Sequence, residues 1–173
     1  MASVADLINE SLTPIKLRIL VFGPQVVTLS THERTLTLQK KRIEIRVVLD
    51  ELGHEVKYAE DVVDSSIEGP AVNPFFQEMV IMEDFDFIVT LVDSPGSNIE
   101  TGVIASKVNL ARKASLYIDE NYLDGLAGQA CKFVEQLGGH LHAFRYPEDL
   151  TDCHLLGHVK TRASEIQMWK YLV

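Results

Sequence analysis

The chain predicts an α/β fold: a single, mainly parallel, five-stranded doubly wound sheet with helices on both faces. Three observations carry that expectation. Five short runs are rich in β-branched and aromatic residues: 17–22, 54–58, 87–92, 114–118 and 140–144. Between them lie segments whose apolar residues recur at helical intervals. Glycine or proline punctuates most junctions, at Gly23-Pro24, Gly53, Pro95-Gly96 and Gly138-Gly139. Strands that alternate with helices need crossovers, and crossovers are right-handed, so few topologies remain. The natural one is the flavodoxin-like order 2-1-3-4-5, whose ligand crevice opens where the winding reverses, beyond the ends of the first and third strands.

Each element has its own signal. The first strand, Leu17-Arg18-Ile19-Leu20-Val21-Phe22, stops at Gly23-Pro24. The next helix shows capping-box spacing at Ser30 and Glu33, with Leu38, Ile45, Val48 and Leu52 on a stripe. Gly53 ends it, and the second strand follows. Residues 60–70 are polar and acidic and read as a long loop. Pro74 suits the first turn of a helix reaching about Asp84, whose Phe75, Phe76, Met79, Val80 and Met82 read mostly as core. The third strand leads through Pro95-Gly96 into a helix over 99–110 lined with small residues. A helix over 126–137 precedes the fifth strand. A last helix, 152–172, carries Leu155, Val159, Ala163, Ile166 and Trp169 on one stripe. Residues 1–16 form an N-terminal extension and 17–173 the α/β domain.

Bulk composition narrows the function. At 173 residues the chain holds one ordinary domain, and 46% hydrophobic with 24% charged residues can build a full core. A formal net charge of -9 argues against direct nucleic-acid binding or attachment to an anionic membrane. The run Lys40-Lys41-Arg42 reads as a solvated helix face. Cys131 and Cys153 are the two cysteines and lack metal-ligand spacing, which suits free thiols in a reducing cytoplasm. The first residues carry Asp6 and Glu10 and read as neither signal peptide nor membrane anchor.

The informative motif is Asp93-Ser94-Pro95-Gly96-Ser97-Asn98-Ile99-Glu100-Thr101-Gly102. A tight turn between a strand and a helix offers unpaired backbone N–H groups to a phosphate- or ribose-bearing ligand. Asp93 and Glu100 are the candidate catalytic residues. Gly23, Pro24, Ser94, Gly96, Ser97, Asn98, Asp119 and Tyr122 are the candidate substrate-binding residues, the last two from the rim after the fourth strand. Proximity to the helix N-terminus predicts an ionised Glu100. The same letters also spell a capping box, with Ser97 as N-cap and Glu100 folded back on its N–H. Spacing alone leaves both readings open.

The stretch from Ser94 to Gly102 resembles the Asp-Pro-Gly-Thr-x-x-Glu-x-Gly signature of nucleoside 2-deoxyribosyltransferases. More distantly it is similar to the Gly-Gly-x-Gly-Thr-x-x-Glu pattern of SLOG-like nucleotide-binding and phosphoribohydrolase proteins, and TIR-like domains share the layout. Ser94 replaces the Asp of the signature, and Leu20, Val21 and Phe22 offer no counterpart to the family's first-strand Tyr. The resemblance implies cleavage or transfer at the N-glycosidic bond of a nucleoside, nucleotide or NAD. Glu100 stands at the catalytic carboxylate position, and Ser97 and the Gly96 backbone at the sugar or phosphate. It also implies a homo-oligomer or a regulatory protein partner, and a role as an antiphage-defence effector. No cofactor is expected, NAD or a nucleotide entering only as substrate or ligand. Two other functions stay open: a nucleotide or ADP-ribose sensor without turnover, and a non-catalytic interaction subunit.

Histidines supply the remaining chemistry. His154 and His158 are spaced i, i+4 near Asp152, with no third metal ligand evident in sequence, so they read as partly exposed helix residues and no metal is expected. His140 and His142 alternate on the fifth strand, a structural pair near the crevice edge.

Overall fold

The β-rich runs form five strands, β1 (Arg18–Phe22), β2 (Glu55–Tyr58), β3 (Phe87–Val92), β4 (Ala114–Asp119) and β5 (His140–Phe144). A computed structural model describes residues 15–63 and 73–172, with positions 3, 6, 8, 10 and 11 of the N-terminal segment. Most of the expected N-terminal extension, and residues 64–72 of the expected acidic loop, therefore lie outside the described residues. The sheet has the order β2-β1-β3-β4-β5, and all pairings are parallel, as the alternation predicts. Its helices are α1 (Glu33–Glu51), α2 (Pro74–Asp84), α3 (Pro95–Ser106), α4 (Val108–Arg112), α5 (Leu126–Gln136), α6 (Glu148–Thr151) and α7 (His154–Leu172). No helix among the described residues is long and apolar enough to cross a membrane.

Strand alternation divides the core. Ile19, Val21, Phe87, Val89, Leu91, Tyr117 and Phe144 face the layer that includes α1 and α7, where Leu38, Ile45, Leu155 and Val159 meet them. Leu20, Phe22, Ile88, Val92, Leu116 and Ile118 face α2–α5, against Met82, Ile104, Leu110, Cys131 and Val134. Both faces of β3 and β4 are buried, which explains their near-continuous apolar character.

Several local expectations are corrected. The start of α1 uses His32 as N-cap with no side-chain cap, and Ser30 instead receives the His32 N–H on its hydroxyl. Leu52 ends up exposed and Leu49 takes its place in the core. The expected helix over 99–110 begins at Pro95 and breaks at Lys107, whose extended backbone separates α3 from α4. On α2, Phe75, Phe76 and Val80 are exposed and only Met82 is core. Trp169 lies 69% exposed, because the buried stripe of α7 continues through Gln167 instead.

The largest correction concerns Lys41 and Arg42, which are buried rather than solvated. Arg42 continues the Leu38, Ile45, Leu49 stripe, so its guanidinium enters the protein with the core. There Nη2 donates to Val21 O at 2.6 Å and Nη1 to Pro24 O at 3.0 Å. Both nitrogens also grip Glu60, at 2.6 and 2.8 Å, and the guanidinium stacks 4.5 Å from the Tyr58 ring centre. Gly23, at φ +145, makes room: a Cβ there would meet Leu91 Cβ at 3.2 Å and Arg42 Cδ at 3.5 Å.

Replacing Arg42 with Met strands the Glu60 carboxylate and two backbone carbonyls. We expect a loss of about 3–5 kcal/mol in urea unfolding, far above the effect of the same change at exposed Lys40. Equal losses at the two positions would contradict the buried anchor.

Candidate functional site

The turn after β3 is built by two serines. Ser94 is the N-cap of α3: its Oγ accepts from the Ser97 N–H at 3.2 Å, and Pro95 takes the first helical position. Ser97 returns the favour, its buried Oγ accepting from the N–H groups of Asp93 and Ser94 at 3.1 and 2.9 Å. The capping box is thus Ser94 with Ser97, one turn earlier than the Ser97–Glu100 pairing that spacing allowed. Ser97 serves the turn itself, and its hydroxyl is occupied.

Glu100 is thereby freed from capping. It lies at the sixth helical position, beyond the first turn where the helix dipole favours a carboxylate. Its Oε2 is buried and makes no hydrogen bond among the described residues. A side chain on exposed Gly96 would start 4.0 Å from its Oε1, so glycine there leaves the carboxyl uncovered on that side. Burial, reinforced by the charges of Glu78 and Glu60 and only partly offset by Arg42, pushes the Glu100 carboxyl up to about 8. The expected ionised Glu100 is therefore corrected to a neutral carboxylic acid at pH 7. Burial, with the charge of Glu60, also raises Glu78. The crevice past β1 thus holds three acids around one guanidinium that Glu60 already occupies.

A second cluster occupies the rim of β3 and β4. Asp93 and Asp119 continue the strand phase that faces α1, and Arg34 on that helix bridges them. Its Nε donates to Asp93 Oδ1 at 2.8 Å and its Nη1 to Asp119 Oδ2 at 2.7 Å. The guanidinium lies 5.2 Å from the Tyr122 ring centre and 4.6 Å from that of Tyr146. Asp119 also accepts from Asn121 N and Nδ2, at 3.0 and 2.9 Å. Burial pushes the Asp93 carboxyl up while Arg34 pulls it back. Beside this cluster opens a cavity of about 390 Å³, lined by Asp93, Asn98, Tyr122, Gly125, Leu126 and neighbours. Its volume lies within the range of small-molecule sites. Gly128 holds the wall close: a Cβ there would meet Leu123 O at 2.1 Å.

The expected site residues therefore fall into two groups. Gly23, Pro24, Gly96 and Glu100 belong to the β1–β3 crevice, with Pro24 buried under its bond from Arg42. Asp93, Asn98, Asp119 and Tyr122 gather at the β3–β4 rim. Ser94 and Ser97 form the hinge between the two. Sequence reasoning missed Arg34, Arg42, Tyr58, Glu60, Glu78 and Tyr146. Only Arg42 carried a readable signal, as a charged residue on an otherwise apolar stripe. His140 and His142 lie on the sheet face packed by α7, not at the crevice edge; there His142 meets His154 and His158, supplying the third imidazole that spacing did not reveal.

Fold and rim together define a doubly wound α/β protein whose switch point carries a buried acid and an arginine-bridged pair of aspartates. Against models of known protein families and against curated proteins, the chain finds no match.

Glu100 makes stability pH-dependent. Its folded value of about 8 lies above the ordinary 4.5, so the unfolded chain releases this proton first. Stability contributed by the neutral form is complete at low pH and falls as pH rises toward about 8, by up to about 1.4 kcal/mol per pH unit. Glu100→Gln flattens that decline in urea unfolding across the window; an unchanged slope would place the responsible group elsewhere.

Proposed function

We propose that this protein breaks the N-glycosidic bond of a nucleoside, nucleotide or NAD-like molecule, with Glu100 as the acid. The observation that carries this reading is a buried, unpartnered carboxyl oxygen at the switch point of a doubly wound sheet, on an acid that stays protonated at neutral pH. Such a group suits protonation of a departing base. Cleavage breaks the bond between the anomeric carbon and the base nitrogen, and its electron pair leaves with the base. Glu100 delivers the proton that neutralises the leaving group. Water then adds to the oxocarbenium-like carbon and returns a proton to the Glu100 carboxylate, so the balance closes.

The sequence resemblance, which puts Glu100 at the catalytic carboxylate position, supports the same chemistry; the ionised state was expected only from the helix N-terminus. A protonated Glu100 can serve leaving groups that depart as anions, so nucleosides and nucleotides remain candidate substrates beside NAD. The rim cavity supports a place for the base or a phosphate-bearing remainder, beside Tyr122 and Asn98.

One observation favours a second reading. Glu100 is not in the wall of the 390 Å³ cavity, and Asp93 there is already paired with Arg34. A ligand held only in that cavity would be sensed without turnover.

Incubation with NAD and a nucleoside panel separates the two. Catalysis predicts base release that falls roughly 10²–10⁴-fold in Glu100→Gln, with wild-type kcat declining as pH rises through about 8. Binding without release, abolished by Tyr122→Ala and untouched by Glu100→Gln, establishes the sensor. Neither binding nor release overturns both.

A further inference from the structure

A separate group of chemistry-bearing side chains sits on the opposite side of the sheet from α3. Edge strand β5 points residues 140, 142 and 144 toward α7, with Phe144 in that core. The register pairs Tyr117 with His142, and their ring centres lie 5.8 Å apart. His154 opens α7 and His158 follows one turn later, so both project from one helix face. The His142 ring centre lies 3.9 Å from that of His158 and 5.6 Å from that of His154, and the two helix rings are 4.7 Å apart.

Two facts argue against an ordinary packing cluster. One ligand-capable nitrogen from each histidine falls within 4.8 Å of the others. The His142 Nε2 is moreover buried with no hydrogen-bond partner among the described residues. A buried lone pair or N–H left unpaired is destabilising, and a bound ion would satisfy it.

We infer that His142, His154 and His158 form a three-histidine site for a divalent transition-metal ion of the zinc class, its fourth position open to solvent. Zinc–nitrogen bonds of about 2.0–2.1 Å in a tetrahedron place ligand nitrogens about 3.4 Å apart. Closing from 4.8 Å needs only side-chain adjustment, which exposed His154 can make. All-imidazole ligation suits zinc, cobalt, nickel or copper and disfavours calcium or magnesium, which take oxygen ligands. Outer groups fit a cation. Asp149, gripped by Arg145 at 2.8 Å, lies close enough to act electrostatically on His142 and His154. Asp152 Oδ1 accepts from the His154 N–H at 2.9 Å and fixes the start of α7. The ion would tie the edge strand to the first turn of the last helix.

The test uses the full chain stripped with a chelator and titrated with zinc chloride, read by calorimetry and by melting temperature. Cobalt chloride reports geometry through the visible bands of a four-coordinate ion. The expected result is one equivalent bound, a rise in melting temperature and four-coordinate cobalt bands. His154→Ala, at an exposed position the fold tolerates, weakens zinc by more than the roughly 10–100-fold typical of losing an outer-shell partner. His158→Gln does the same, whereas Cys153→Ser leaves affinity unchanged. No zinc binding, binding unaltered in both histidine variants, or binding lost only with Cys153 overturns the site. None of these readouts involves base release, so the result stands apart from the glycosidic reading.

Discussion

The guanidinium of Arg42 is the constraint on which the rest of the crevice depends. A cation with no exposure to water survives only if its charge is answered and most of its N–H groups are paired; both terminal nitrogens of Arg42 are, while its Nε has no partner among the described residues. Here the answer comes from three chain segments at once: the end of β1 through Val21 and Pro24, the turn after β2 through Glu60, and the ring of Tyr58. That single side chain therefore fixes how two adjacent strands end. It also decides the charge state of what surrounds it. Glu60 takes the guanidinium in a two-toothed grip, and no salt bridge to Glu100 or Glu78 occurs among the described residues. Desolvation without a partner raises a carboxyl, which it does for Glu78 and, most strongly, for Glu100, pushed up to about 8.

The phase of one strand then separates two kinds of site. Along β3, Leu91 faces α1 while Val92 faces the other layer. Asp93 continues the first phase and meets Arg34, and Asp119 arrives beside it from β4. α3 packs on the other layer, so Glu100 approaches the crevice from that side. The rim thus offers a protonated acid at one place and an arginine-bridged pair of aspartates at another, with the Ser94–Ser97 turn between them.

Much of the architecture was legible from the chain alone. β-rich runs of four to six residues, set between helical stripes and cut by glycine or proline, define the strands and their parallel order. The serine-rich turn was legible as a capping site, but not its register. Ser94 and Ser97 both carry hydroxyls three residues before another polar side chain, and spacing cannot tell which one begins the helix. Proline at the first helical position decides it, because Pro95 needs no hydrogen bond there. The burial of Arg42 was hidden by its neighbours, since a basic triplet looks solvated until the helix phase is known.

Residue order by itself determined the alternation of strands and helices and the location of the switch point, because these depend on local pattern and on the handedness of crossovers. Only the tertiary structure decided the partners. Arg34 reaches residues 59 and 85 positions away, and Arg42 reaches across 18 to Glu60. His142 joins His154 and His158 only because β5 and α7 pack together. Charge state and coordination belong to such long-range neighbours, and a linear pattern carries no record of which side chains will share one desolvated space.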